Sequence, residues 1–246
     1  MSAKNRTVII TGSSSGIGLD IARAFLQEGA NVVINGRDSD KLATVAAKLG
    51  TPDRVAAVAG NIGERETGEA LARTAVERFG RIDVLVNNAG IFAAKPFLDV
   101  SEQELDGFLD SNLRGTYLTT QAVVRRMKPQ GTGGAIVNIG TVLIDHAIGG
   151  FPASAPLASK GGVHALTHSL AAELAPDRIR VNMVAPGVVR TPLHAGVDVD
   201  AFGGIALLNR VAEVGEITEA VRYLAGALFV TGHILPVDGG FITGRA

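Results

Sequence analysis

The chain has 246 residues, of which 46% are hydrophobic and 19% charged, with a formal net charge of −1: enough for one large core, with no global basic surface for nucleic acid. It contains no cysteine, which excludes disulfides, thiolate chemistry and cysteine-ligated metals. No apolar run approaches the roughly 18 to 20 residues of a membrane span, and Val8 to Ile10 is too short for the apolar region of a signal peptide, so a soluble cytoplasmic protein with small, near-neutral partners is expected.

In chain order, residues 7–10 (TVII), 31–34 (NVVI), 55–60 (VAAVAG), 82–87 (IDVLVN), 135–139 (AIVNI), 180–185 (RVNMVA) and 233–237 (HILPV) are short apolar runs rich in β-branched residues. Each reads as a strand buried on both faces. Between them, residues 17–29, 40–50, 67–80, 101–127, 159–175 and 217–226 have helical spacing. Strand and helix alternate throughout, which predicts an α/β Rossmann-type doubly wound parallel sheet of seven strands with helices on both faces, in one domain over residues 1–246. Residues 191–207 interrupt the alternation before the last helix and read as a substrate flap with an apolar roof of Leu193, Val197, Val199, Phe202 and Ile205.

The first strand runs into TGSSSGIG, Thr11 to Gly18, and a helix follows at once. In that context Gly12 permits a tight turn, while Gly16 and Gly18 let backbone and helix approach a pyrophosphate at a helix N-terminus. At the end of the second strand the chain carries Asn35, Gly36 and Arg37, with no carboxylate before Asp38. An acidic residue there hydrogen-bonds an adenosine 2′-hydroxyl, whereas the planar donor fork of Arg37 suits a 2′-phosphate.

With NNAG at 87–90, Asn112, NIGT at 138–141, Lys160, and Pro186 and Gly187 followed by Thr191, the chain resembles the short-chain dehydrogenase/reductase family from about residue 5 to the VDGG at 237–240. That resemblance implies a nicotinamide dinucleotide across the carboxyl ends of the strands. It assigns Gly12, Ser14, Ser15, Gly16, Ile17 and Gly18 to the pyrophosphate, and Asn88, Ala89 and Gly90 to the adenosine ribose side. Asn61 and Ile62 are assigned to the adenine, Lys160 to the ribose, and Pro186, Gly187, Val189 and Thr191 to the carboxamide. NADP(H) is favoured over NAD(H) because of Arg37, although Ser15 adds no second basic group where many NADP-preferring relatives have one. Asn61 also departs from the family's common aspartate. The family resemblance further implies homodimers or homotetramers.

The same resemblance makes one absence conspicuous. The family pairs a catalytic tyrosine with the lysine four residues on, and counting back from Lys160 gives Pro156. Thr141 stands for the usual serine, and the interval from Thr141 to Lys160 is about two residues longer than usual. Ser154 can cap a helix whose first turn holds Ala155 and Pro156. Tyr117 and Tyr223, the only tyrosines, read as packing residues. The catalytic candidates are therefore Asn112, Thr141 and Lys160, with His146 in the loop after Thr141, beside Asp145, as a further candidate for proton donor or substrate ligand. Ser154 is a further hydroxyl near the missing phenol. Losing a general acid costs typically about 10² to 10⁴ in rate. His164, His168 and His194 lack the second-shell context of a metal site, and no metal is expected.

Three readings follow. The first is an NAD(P)-dependent oxidoreductase acting on a small carbonyl or alcohol substrate with an altered proton donor. The second is a dinucleotide-binding regulatory or sensing protein without turnover. The third is non-redox chemistry on the same scaffold.

Overall fold

Seven parallel strands form one sheet in a computed structural model that describes residues 4–244. They are β1 (Thr7–Ile10), β2 (Asn31–Gly36), β3 (Val55–Ala59), β4 (Val84–Asn87), β5 (Gly134–Ile139), β6 (Ile179–Pro186) and β7 (Ile234–Val237), in the spatial order β3-β2-β1-β4-β5-β6-β7. The order reverses direction between β1 and β4, which opens a crevice beyond their carboxyl ends, the usual ligand position in a doubly wound sheet.

Among the described residues there are seven α-helices: α1 (Gly16–Gln27), α2 (Ser39–Leu49), α3 (Arg65–Phe79), α4 (Glu102–Phe108), α5 (Gly115–Gln130), α6 (Ser154–Leu174) and α7 (Val214–Gly226); all but α4, which packs on α6, lie against the sheet. Successive strand side chains point to opposite faces, so β1 feeds two cores. Val8 and Ile10 pack with Ile21 and Phe25 of α1 and Val221 and Leu224 of α7. Ile9 packs on the other face with Leu71 of α3, Val123 and Met127 of α5 and Leu174 of α6. Each such aliphatic or aromatic side chain contributes roughly 1.5–3 kcal/mol on full burial, and β1 is buried at all four positions. The predicted strands differ from the observed ones only at their ends.

Two helices depart from the expected bounds. The run expected as one helix over 101–127 is broken by a π-helical turn, Leu109–Arg114, between α4 and α5. α4 itself opens with a capping box in which the Ser101 and Glu104 side chains each accept from the other's backbone amide. α6 begins at Ser154, not at 159, and its cap is Ala153, which makes no side-chain hydrogen bond. Ser154 is thus the first helical residue and not the cap. Pro156 still falls in the first turn, where a missing amide hydrogen costs nothing, and the first backbone bond runs from Leu157 N to Ala153 O at 3.0 Å.

Tyr117 and Tyr223, expected to pack, are half exposed on α5 and α7. Exposed apolar side chains also include Phe97, Leu98, Leu228 and Phe229, the last entirely open. No helix among the described residues is long and apolar enough to cross a membrane.

Candidate active site

The glycine turn is built by polar contacts from three strands. Gly12 has φ +63°, a conformation glycine adopts without penalty. Ser13 Oγ donates to Ile10 O at 2.8 Å and accepts from Asn35 N at 3.0 Å, while Gly12 N donates to Asn35 Oδ1 at 3.3 Å. Just beyond β4, Asn88 Nδ2 donates to Thr11 O at 2.9 Å and Gly12 O at 3.0 Å. A Cβ on Gly12 would lie 2.7 Å from Ala89 Cα, and one on Gly18 would lie 2.5 Å from Asn88 Nδ2. These two glycines, with Asn88 and Ala89, therefore bring protein against protein. Gly16, at φ +55°, faces Thr191 and Pro192 across the crevice.

Ser15, Gly16 and Ile17 lie on the wall of a cavity of about 920 Å³. Ser15 caps α1 without a side-chain hydrogen bond, which leaves the amides of the first turn without a side-chain acceptor beside this cavity. That is the donor set an anionic pyrophosphate fits. Asn88, Gly90, Lys160, Pro186, Gly187, Val189 and Thr191 line the same cavity.

At the adenosine end, Asn35 is buried and donates to Val58 O at 3.0 Å and Gly60 O at 3.2 Å, so its amide ties β1, β2 and β3 together. The first carboxylate after β2, Asp38, accepts from Asp40 N and Lys41 N as the cap of α2. Arg37 is exposed beside it. Ser14 lies against Gly36, whose added Cβ would meet Ser14 Cβ at 3.1 Å. Ser14 also lines a second hollow with Arg23, Lys41 and Lys48, and Lys41 borders both cavities. Lys41 went unnoticed in the sequence, although it stands four residues beyond Arg37. Asn61 is exposed and accepts from Gly63 N at 3.1 Å. Ile62 is buried against Gly115, where a Cβ would come within 2.6 Å of its Cδ1.

The π-turn aims Asn112 inward. Its Oδ1 accepts from Ile91 N at 2.8 Å, and its Nδ2 donates to Ile91 O at 3.0 Å and to Ser159 Oγ at 2.9 Å. Ser159 Oγ donates to Pro156 O at 2.8 Å. Lys160 Nζ donates to Ile139 O at 2.7 Å, and burial lowers its ammonium from 10.5 to about 8. Thr141 lines the cavity and its hydroxyl oxygen accepts from Leu143 N at 3.3 Å. Thr141 and Lys160 thus meet on the cavity wall beyond β5, whereas Asn112, fully buried and off that wall, reaches α6 through Ser159.

The other proposed donors stand apart. His146 packs edge-on against Phe241, with ring centroids 5.1 Å apart, and is not on the cavity wall. Asp145 and Ser154 are exposed and also off that wall. His194, which was weighed only as a metal ligand, does line it. The loop after Thr141 brings Ile148 and Phe151 to the wall, with Phe151 stacked on Phe92 at 6.1 Å. Sequence reading missed these because a loop's path has no periodicity. From 191–207, Leu193, Phe202 and Ile205 complete an apolar roof, whereas Val197 is exposed and Val199 buried. Arg190, just before that segment, pairs with its Asp200 at 2.5 Å and with Glu213 ahead of α7 at 2.9 Å. Among the described residues no group of three His, Cys, Asp or Glu is placed to hold a metal ion.

A family model described as enoyl-(acyl carrier protein) reductase matches residues 12–242. The chain is 37% identical to the L-rhamnose 1-dehydrogenase (NAD(P)(+)) of Azotobacter vinelandii, with 96% of each chain covered. It is 34% identical to the 3-oxoacyl-(acyl-carrier-protein) reductase FabG of Thermotoga maritima, over 98% of this chain and 100% of that one. The crystal structure of a short-chain type dehydrogenase/reductase from Mycobacterium marinum superposes with a TM-score of 0.92 at 32% identity, over 98% of this chain and 96% of that chain.

Proposed function

Because the chain belongs to the short-chain dehydrogenase/reductase family, we propose that it is an NAD(P)-dependent oxidoreductase that interconverts a carbonyl and an alcohol, with NADP(H) as the preferred cofactor. The observation that carries this reading is one cavity joining the first turn of α1 to Thr141 and Lys160. When bound, the nicotinamide supplies or accepts the hydride. The amides of Gly16 and Ile17 would hold the pyrophosphate, Lys160 the ribose, and Pro186 to Thr191 the carboxamide. The Thr141 hydroxyl would position the substrate oxygen.

Preference for the 2′-phosphate is supported by the end of β2. Asp38 is committed to capping α2, which leaves no carboxylate to accept from a 2′-hydroxyl, while Arg37 and Lys41 offer cations on that side. The apolar wall of Phe92, Phe151, Leu193, Phe202 and Ile205 supports a substrate with an apolar body around its carbonyl. Residues 191–207 are read as a flap over it. A soluble cytoplasmic setting and association into dimers or tetramers complete the reading, the latter supported by the exposed Phe97, Leu98, Leu228 and Phe229.

The test follows NADPH oxidation by absorbance against aldehydes, ketones and quinones, with NADPH and NADH binding measured by fluorescence. Turnover with at least one class of carbonyl is expected. Tight NADPH binding with no turnover on any compound would favour the second reading, a cofactor-sensing protein, which the proline at position 156 supports.

A further inference from the structure

Lys160 is the sole residue of α6 on the cavity wall; Pro156, one turn before it, is buried and takes no part in that wall. The helix that would carry the phenol therefore presents one polar group to the substrate space. Among the described residues nothing charged faces that group from the elements around it. β5 offers the Ile139 carbonyl, the segment after β4 offers Gly90, and the π-turn offers the neutral Asn112. His164, one turn further along α6, contacts His168.

The other ionisable residues of the wall are otherwise engaged or remote. Arg210 and Glu216 bind each other at 2.5 and 2.8 Å, and Asp238 accepts from Gly240 N and Ile242 N at 2.9 Å. Lys41 lies at the hollow shared with Arg23, and His194 belongs to the 191–207 segment. The hydroxyls are those of Ser15, Thr141 and Thr191.

We propose that Lys160 is itself the proton donor of the reduction, a role that passes to it because no residue of the first turn of α6 reaches the substrate space. The inference rests on the reductase reading above. A bound reduced dinucleotide would supply the hydride, with its two electrons, to the carbonyl carbon, and the π electron pair would move onto the carbonyl oxygen. That oxygen takes a proton from Nζ, directly or through one water. An O–H bond forms as an N–H bond breaks, and the neutral amine is reprotonated from solvent. In alcohol oxidation the neutral amine accepts the proton. Burial with no neighbouring carboxylate holds the ammonium near about 8, so at neutral pH it is protonated yet releases its proton readily.

The test compares native protein with Lys160→Met, Lys160→Arg and Lys160→Ala, measuring NADPH affinity by fluorescence and carbonyl reduction against pH. Arginine keeps a charge and a donor fork but cannot give up a proton. The expected result is a loss of roughly 10² to 10⁴ in kcat for Met and Arg at saturating NADPH, beyond whatever weakening of NADPH binding the lost ribose contact brings. Native kcat/KM for reduction should fall above about pH 8, and the variants should lose that inflection. Ethylammonium should restore part of the rate of Lys160→Ala, which a merely cofactor-binding role would not produce. An active Lys160→Arg with the native inflection, or losses that simply follow NADPH affinity, would overturn the assignment while leaving the reductase reading intact. A native protein that binds NADPH and reduces nothing would sink both.

Discussion

Asn112 Nδ2 donates to Ser159 Oγ at 2.9 Å, and this bond joins the π-turn ahead of α5 to the residue immediately before Lys160. The position of the lysine is therefore set partly from another element. Asn112→Ala would also abandon Ile91 N and Ile91 O. At about 1 kcal/mol per hydrogen bond, and more for a buried group left unpaired, it should destabilise the fold by roughly 2–4 kcal/mol and reduce turnover. Calorimetry beside NADPH oxidation checks both.

Removing the lysine should have the opposite effect on stability. Its value falls from 10.5 in the unfolded chain to about 8 in the fold, so the unfolded state binds more protons between those limits and stability rises with pH across that window. Below about 8 the burial penalty is fully present, and it amounts to at most roughly 3–4 kcal/mol at about 1.4 kcal/mol per pH unit. The lost bond to Ile139 O offsets part of the gain. Lys160→Met should raise Tm of the cofactor-free protein at neutral pH, by a margin that shrinks toward pH 10.5. A lowered Tm at neutral pH would contradict this.

Gly18→Ala would place a Cβ 2.6 Å from Gly12 O and 2.9 Å from Ser13 Cα, backbone atoms with no rotamer to adopt. A cost of roughly 1–3 kcal/mol and weaker NADPH binding are expected. Gly149→Ala meets nothing within 4 Å and should stay within about 0.5 kcal/mol of native. Chemical denaturation of the two variants provides the comparison.

Arg37→Ala should weaken NADPH binding by about tenfold or more, the scale of a lost charge-assisted hydrogen bond, and leave NADH binding nearly unchanged. Lys41→Ala should act in the same direction. Equal effects on both dinucleotides would argue against a 2′-phosphate site at the end of β2.

Arg190 ties Asp200 of residues 191–207 to Glu213 through exposed ion pairs. Such pairs add little to stability and weaken with salt. Arg190→Gln should therefore leave Tm nearly unchanged while raising substrate KM severalfold, and added salt should raise the KM of the native protein in the same sense. Steady-state kinetics at two ionic strengths decides it.

Half-exposed Tyr117 and Tyr223 show where local reading fails, since an aromatic at helical spacing carries no mark of which surface it meets. Ser154 shows the same for caps: its residue type suits the role, but the path of the preceding loop put Ala153 there instead. The π-turn at Asn112 left no signal either, because one extra residue in a helical turn does not disturb composition.

The sequence by itself determined the seven strands and the glycine turn, which depend on apolar period and residue chemistry, both of them local. The missing tyrosine and the candidacy of Asn112, Thr141 and Lys160 came from the resemblance of its motifs, in order along the chain, to those of the family. Only the tertiary structure decided that Gly12 and Gly18 press against Ala89 and Asn88, that Asp38 caps α2, and that His146 turns to Phe241. It also left Lys160 as the single α6 residue on the cavity wall. Each of these is a meeting of segments far apart in the chain, governed by packing and by the pairing of buried polar groups that no single segment specifies.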